Sequence, residues 1–168
     1  MRTWVPVAVT GLLTGPAAAA DMTVKVEIPT LSVAEYHKPY VAVWVEKPDQ
    51  SVVGNLAVWY SLKMRDNEGV KWLKDLRQWW RRSGRSLEMP VDGISGATRA
   101  PGLHEVDTKA LPLASLPPGE YALVVEAARE VGGRELLRVP FQWPPAKPVT
   151  GTAKGESELG TVTIDLKP

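Results

Sequence analysis

The residues of this chain that could do chemistry are few, and most of them fall in one short run. MPVDGISGATRAPG (89–102) holds an acid, Asp92, two hydroxyls, Ser95 and Thr98, and a guanidinium, Arg99. Gly93 and Gly96 allow positive φ, and Asp92 and Ser95 can bond nearby backbone amides, so DGISGAT (92–98) is first of all a compact, small, mobile turn. Elsewhere the supply is thin. The chain has no Cys, which excludes a thiol nucleophile, a zinc–thiolate site and an iron–sulfur cluster. His37 and His104 are its two histidines, so a Ser–His–Asp triad or a His-rich metal site lacks its members, and no metal ligands are assigned.

The order D-x-x-S-G-A-T resembles the acceptor motif of proteins that carry FMN covalently, such as the FMN-binding subunits of sodium-pumping quinone reductases. The resemblance rests on Asp92, Ser95, Gly96, Ala97 and Thr98. It implies that the Thr98 hydroxyl is esterified to the FMN phosphate by a separate, magnesium-dependent FAD:protein FMN transferase that works outside the cytoplasm. Gly96 and Ala97 would then give clearance for the transferase, and Asp92 would position the loop or contact the transferase and its metal. The base that activates Thr98 would belong to the transferase, since a threonine hydroxyl is not a nucleophile by itself at neutral pH. Arg99, next to the attachment point, and Arg129 suit a flavin phosphate. His104, six residues after Thr98, could approach the bound group. His37 in EYHKPY is either a flavin or metal contact or a capping, surface histidine, and Trp79 and Trp80 either stack on the ring or dock the helix.

A broader resemblance covers nearly the whole chain beyond the leader. EYHKPYVAVWVE, KWLKDLRQWW, VDGISGATRAPG, PPGEYALVVEAARE and ELGTVTIDL together resemble the periplasmic DUF2271 family. Its members resemble the immunoglobulin-like domain of flagellar hook-capping proteins and are associated with flavin transferases and PepSY-type membrane proteins. One departure stands out. The family pattern suggests His after Arg-Glu, where this chain has Val131, so any contact made by that His is lost here or passes to His37 or His104.

These residues need elements to position them. MRTWVPVAVTGLLTGPAAAA (1–20) has the anatomy of a secretory signal peptide, with one charge, Arg2, an apolar run and a small-residue end. We place its cleavage after Ala20. Removing it takes one of 20 basic residues and none of the 19 acidic ones, and a balanced charge argues against nucleic-acid binding. TVKVEIP (23–29) alternates as a half-buried strand. Two apolar runs, Tyr40 to Glu46 and Gly54 to Leu62, flank a Pro/Asp turn as a hairpin. In GVKWLKDLRQWWRR, Trp72, Leu76, Trp79 and Trp80 share one face at helical spacing, which predicts a single amphipathic helix over about 70–82 that Gly84 ends. The chain from there to about Gly119 reads as loop, with the flavinylation loop at about 90–103. YALVVEAA, a turn around Gly132-Gly133, and ELLRVPFQW form a second hairpin, and Pro140 marks its returning strand as an edge or bulged. PPAKPVTGTAKGES (144–157) reads as a connector and ELGTVTIDL as the last strand.

Short strands with one helix predict a mainly all-β fold, an immunoglobulin-like sandwich over 21–168 with one inserted amphipathic helix. The functional expectation is a periplasmic electron carrier with covalent FMN on Thr98. It is not itself an enzyme, and it exchanges electrons with a PepSY-type or cytochrome-type membrane protein and keeps no transmembrane segment after cleavage. The rivals are a flavin-free immunoglobulin-like adaptor and a flavin-dependent reductase.

Overall fold

A computed structural model describes residues 19–168; the signal-peptide assignment falls almost wholly outside these residues. Nine strands form two sheets. β1 (Asp21–Ile28), β5 (Gly102–Val106), β9 (Thr161–Lys167) and β8 (Val149–Lys154) make a four-stranded sheet in the order β5-β1-β9-β8. β4 (Ser95–Ala97), β3 (Val52–Tyr60), β2 (Tyr40–Glu46), β6 (Gly119–Ala128) and β7 (Arg134–Trp143) make a five-stranded sheet in the order β4-β3-β2-β6-β7. All pairings are antiparallel except β3 with β4, which is parallel. The fold is the all-β sandwich that the strand pattern predicts, and no helix among the described residues is long and apolar enough to cross a membrane.

The two-residue period of the strands explains the layers. Met22, Val24, Val26 and Ile28 of β1 point inward against Val162, Ile164 and Leu166 of β9. They meet Val41, Val43, Val45, Leu123, Val125 and Phe141 from the other sheet, and all are buried. β2 is buried on both faces, because its alternate residues Ala42 and Trp44 enter a second core on the outside of the five-stranded sheet. Leu73, Leu76, Trp79 and Ile94 complete that second core. YVAVWVE therefore reads as a continuous apolar run ending in a buried Glu46. That residue accepts bonds from Trp44 Nε1, Arg82 Nη1 and Arg138 Nε at 3.0, 2.7 and 2.9 Å.

The inserted helix is present but broken. α1 (Glu68–Lys71) and α2 (Arg77–Arg82) are separated by a 3₁₀ turn over Leu73–Asp75 and by Leu76, whose ψ of 72° is not helical. The cause lies far away in sequence. Glu126 of β6, wholly buried, accepts Gln78 N at 3.1 Å and Trp79 N at 2.8 Å, so a strand carboxylate caps the start of α2. The break swings Trp72 off the docking face that helical spacing assigned to it. Leu73, Leu76 and Trp79 are fully buried while Trp72 is 52% exposed.

Three stretches expected to be irregular are strands. Ser95–Ala97 pairs with Val58–Tyr60 of β3, Gly102–Val106 pairs with β1, and Val149–Lys154, expected as connector, pairs with β9. β7 is the edge that Pro140 signals, at the end of its sheet.

Candidate functional site

The DGISGAT run is a turn tied into the sheet rather than a free loop. Ser95 N donates to Val91 O at 3.0 Å and Val91 N donates to Ser95 Oγ at 2.8 Å, closing the turn on itself. Gly93 at its tip has φ 81°, a backbone conformation that favours glycine. Ile94 is buried in the outer core, and its carbonyl accepts Val58 N at 2.8 Å. Ser95, Gly96 and Ala97 then run as β4, which delivers half-buried Thr98 just past the end of the sheet. Gly96 packs closely against Trp59, where a Cβ would sit 3.1 Å from Cδ1 and the ring would have to give by a few tenths of an ångström. Asp92 and Ala97 are exposed.

Thr98 emerges at one end of the five-stranded sheet, where β3, β4 and β6 finish and β2 begins. Ala97 is opposite Tyr60, and Tyr40 is opposite Ala128. A groove of about 680 Å³ opens there. Thr98, Ser61, Glu68 and Trp72 line it from the β3, β4 and helical side. Tyr36, His37, Arg129 and Val131 line it from the segment before β2 and from the β6–β7 turn. That turn closes through Gly132 N to Arg129 O at 3.0 Å, with Val131 at φ 52° and its side chain exposed to the groove.

The polar groups of the groove divide into committed and uncommitted ones. His37 Nε2 is 2.8 Å from Glu35 Oε1 and its Nδ1 is 3.6 Å from Glu130 Oε2, so both ring nitrogens face carboxylates. Arg129 is nearly buried and forks onto buried Glu158, Nε to Oε2 at 2.8 Å and Nη2 to Oε1 at 3.1 Å. Hydrogen bonding to Glu158 raises the Arg129 pKa further, against the effect of burial. Its third nitrogen, Nη1, is buried without a partner among the described residues, and so is the Tyr36 hydroxyl. Burial raises the Tyr36 pKa, offset in part by Arg129 and reinforced by Glu158, so the hydroxyl stays protonated and able to donate.

The residues expected to act together separate into two groups. Thr98 lies in the groove with His37 and Arg129. Arg99 and His104 turn to the other side of β4: the Arg99 guanidinium sits 5.1 Å over the Trp59 ring, and His104 meets that ring edge-on at 6.0 Å. His104 Nε2 is also 2.7 Å from Ala100 O. Neither lines the groove, so Arg129 rather than Arg99 is the guanidinium beside Thr98's cavity. Trp79 is fully buried, with Nε1 bonded to Asn55 Oδ1 at 2.8 Å, and Trp80 packs against the outer core, so both dock the helix. Trp72 is the tryptophan that lines the groove, beside Tyr36 and Tyr40. Periodicity missed it because the helix breaks. Tyr36 was signalled only by its place beside His37 in EYHKPY.

The family described as predicted periplasmic protein (DUF2271) matches residues 21–161. The chain belongs to that family. No curated protein and no solved structure matches it. The match runs from the start of β1 to the first residue of β9, and so includes the groove, the Thr98 turn and the first eight strands of this DUF2271 protein.

Proposed function

We propose that this protein is a periplasmic flavin carrier in which Thr98 receives FMN through a phosphoester, made by an FAD:protein FMN transferase, and that it passes electrons between membrane-bound and extracytoplasmic partners. The observation that carries this reading is the placement of Thr98. The acceptor-like motif D-x-x-S-G-A-T ends with its hydroxyl residue on the wall of a groove of about 680 Å³, and the two residues before it are small and lie at a sheet edge.

The residues present fit such a group. The groove volume falls within the roughly 300–1,000 Å³ of ordinary cofactor pockets. Trp72 offers an exposed aromatic face, and Tyr36 and Arg129 bring donors that nothing among the described residues satisfies. His37 is held between Glu35 and Glu130 and has no contact with Thr98 among the hydrogen bonds, which supports a hydroxyl activated by the transferase rather than by this chain. The flavin would supply one- and two-electron chemistry that no side chain here offers. The protein's part is to anchor it at Thr98, shelter one face against Trp72 and place donors around it.

The test is co-expression with a flavin transferase followed by intact-mass measurement of wild type and Thr98→Ala. We expect wild type to gain the mass of one FMN less one water and Thr98→Ala to gain nothing. No gain in wild type, or an equal gain in Thr98→Ala, overturns the reading.

A further inference from the structure

We propose that Tyr36 Oη and Arg129 Nη1 form a recognition pair for the carbonyl-bearing edge of the flavin ring, so that this pair sets the reduction potential of the group on Thr98. The inference rests on the flavin reading above. Tyr36 Oη and Arg129 Nη1 are the two buried side-chain polar atoms without a hydrogen-bond partner among the described residues. They come from different segments, the approach to β2 and the β6–β7 turn, and both residues line the groove that Thr98 lines. Buried donors left unpaired are costly, and a structure that keeps two on one groove is arranged for an acceptor that arrives later.

The geometry also selects the acceptor. A phosphate is best met by the planar fork of a guanidinium, but Arg129 has already spent its Nε–Nη2 fork on Glu158. Glu158 is itself fixed by Gly133 N at 2.8 Å, so the guanidinium cannot turn to offer that fork. What remains is one cationic N–H edge and one neutral hydroxyl, two single donors suited to the oxygens and nitrogens along one edge of a planar heterocycle. Trp72 supplies the flat apolar surface such a ring needs. When dithionite supplies two electrons and solvent one proton, the ring becomes one unit more negative. Donors placed on its carbonyl edge therefore favour the reduced form and raise the potential.

The experiment uses protein loaded by co-expression with the transferase, with loading confirmed by mass. Tyr36→Phe is the principal variant, because the hydroxyl bonds to nothing among the described residues and its removal leaves the fold intact. Arg129→Lys is the second. We expect unloaded Tyr36→Phe to melt at or above the wild-type temperature. We expect the loaded variant to lose tenfold in its preference for the reduced ring, a fall in midpoint of about 30 mV for a two-electron couple. Loaded Tyr36→Phe and Arg129→Lys with wild-type midpoints and flavin absorbance overturn the pair while leaving flavin attachment standing. Absence of any mass gain in wild type overturns the flavin reading and the pair with it. Inorganic phosphate raising the melting temperature of unloaded wild type but not of the Arg129→Lys variant would make the site a simple anion site, and the ring assignment would fall.

Discussion

Glu126 is the residue on which the groove's helical wall depends, and Glu126→Ala tests this. The wild-type carboxylate, wholly buried, accepts Gln78 N, Trp79 N and Arg134 Nη1, the last at 2.7 Å. Removing it leaves two backbone N–H groups unsatisfied at about 1–3 kcal/mol each, or about 2–6 kcal/mol together. Arg134 adds little, because its side chain is 37% exposed and water can solvate it. We therefore expect a loss of about 2–6 kcal/mol, carried by the two backbone N–H groups. Urea unfolding followed by tryptophan fluorescence measures it, as a shift in midpoint at unchanged slope. Glu126→Gln keeps one oxygen for Trp79 N and recovers part of the loss. A loss below about 1 kcal/mol for Glu126→Ala would refute the idea that this carboxylate holds α2 against the sheet.

Two further outcomes follow from close packing and from charge. In Gly84→Ala the new Cβ would lie 2.5 to 2.9 Å from ring atoms of Trp79, which is buried and tied to Asn55. We expect about 1–3 kcal/mol of destabilisation in a thermal or urea melt. Burial alone would raise the Glu135 carboxyl, but backbone N–H bonds from Glu156, Leu159, Ser157 and Glu158 outweigh it and hold the group below its ordinary value of 4.5. Its stabilisation is therefore full above that value and is lost as pH falls through the lower folded value. The stability gap between wild type and Glu135→Gln should close across that acidic range in unfolding curves, and a gap independent of pH there would contradict the assignment.

Strands whose side chains alternate between core and surface were legible in the sequence. TVKVEIP and ELLRVPFQW lie in strands close to the bounds their patterns suggest, YVAVWVE does so as a continuous apolar run buried on both faces, and Pro140 correctly marks an edge. Strands made of small residues were not legible. TGTAK and SGA carry no hydrophobic period, and they become strands because β9 and β3 present free edges to them. The helix break was hidden for a different reason: its cause, Glu126, lies 48 residues from Gln78. The same separation hid the site. Thr98 could be read from its local motif, but Tyr36, Trp72 and Arg129 join it only once the sheet ends are aligned. Proximity in sequence favoured Arg99 and His104, yet both pack against the Trp59 ring instead of lining the groove.

The central claim concerns one hydroxyl, and trypsin isolates it. Cleavage after Arg85 and Arg99 releases residues 86–99, SLEMPVDGISGATR, whose hydroxyls are Ser86, Ser95 and Thr98. Fragmentation mass spectrometry of this peptide, after treatment of the protein with FAD, magnesium and a flavin transferase, should place one FMN phosphoester on Thr98. The unmodified peptide alone, or FMN on Ser95 or Ser86, would contradict it.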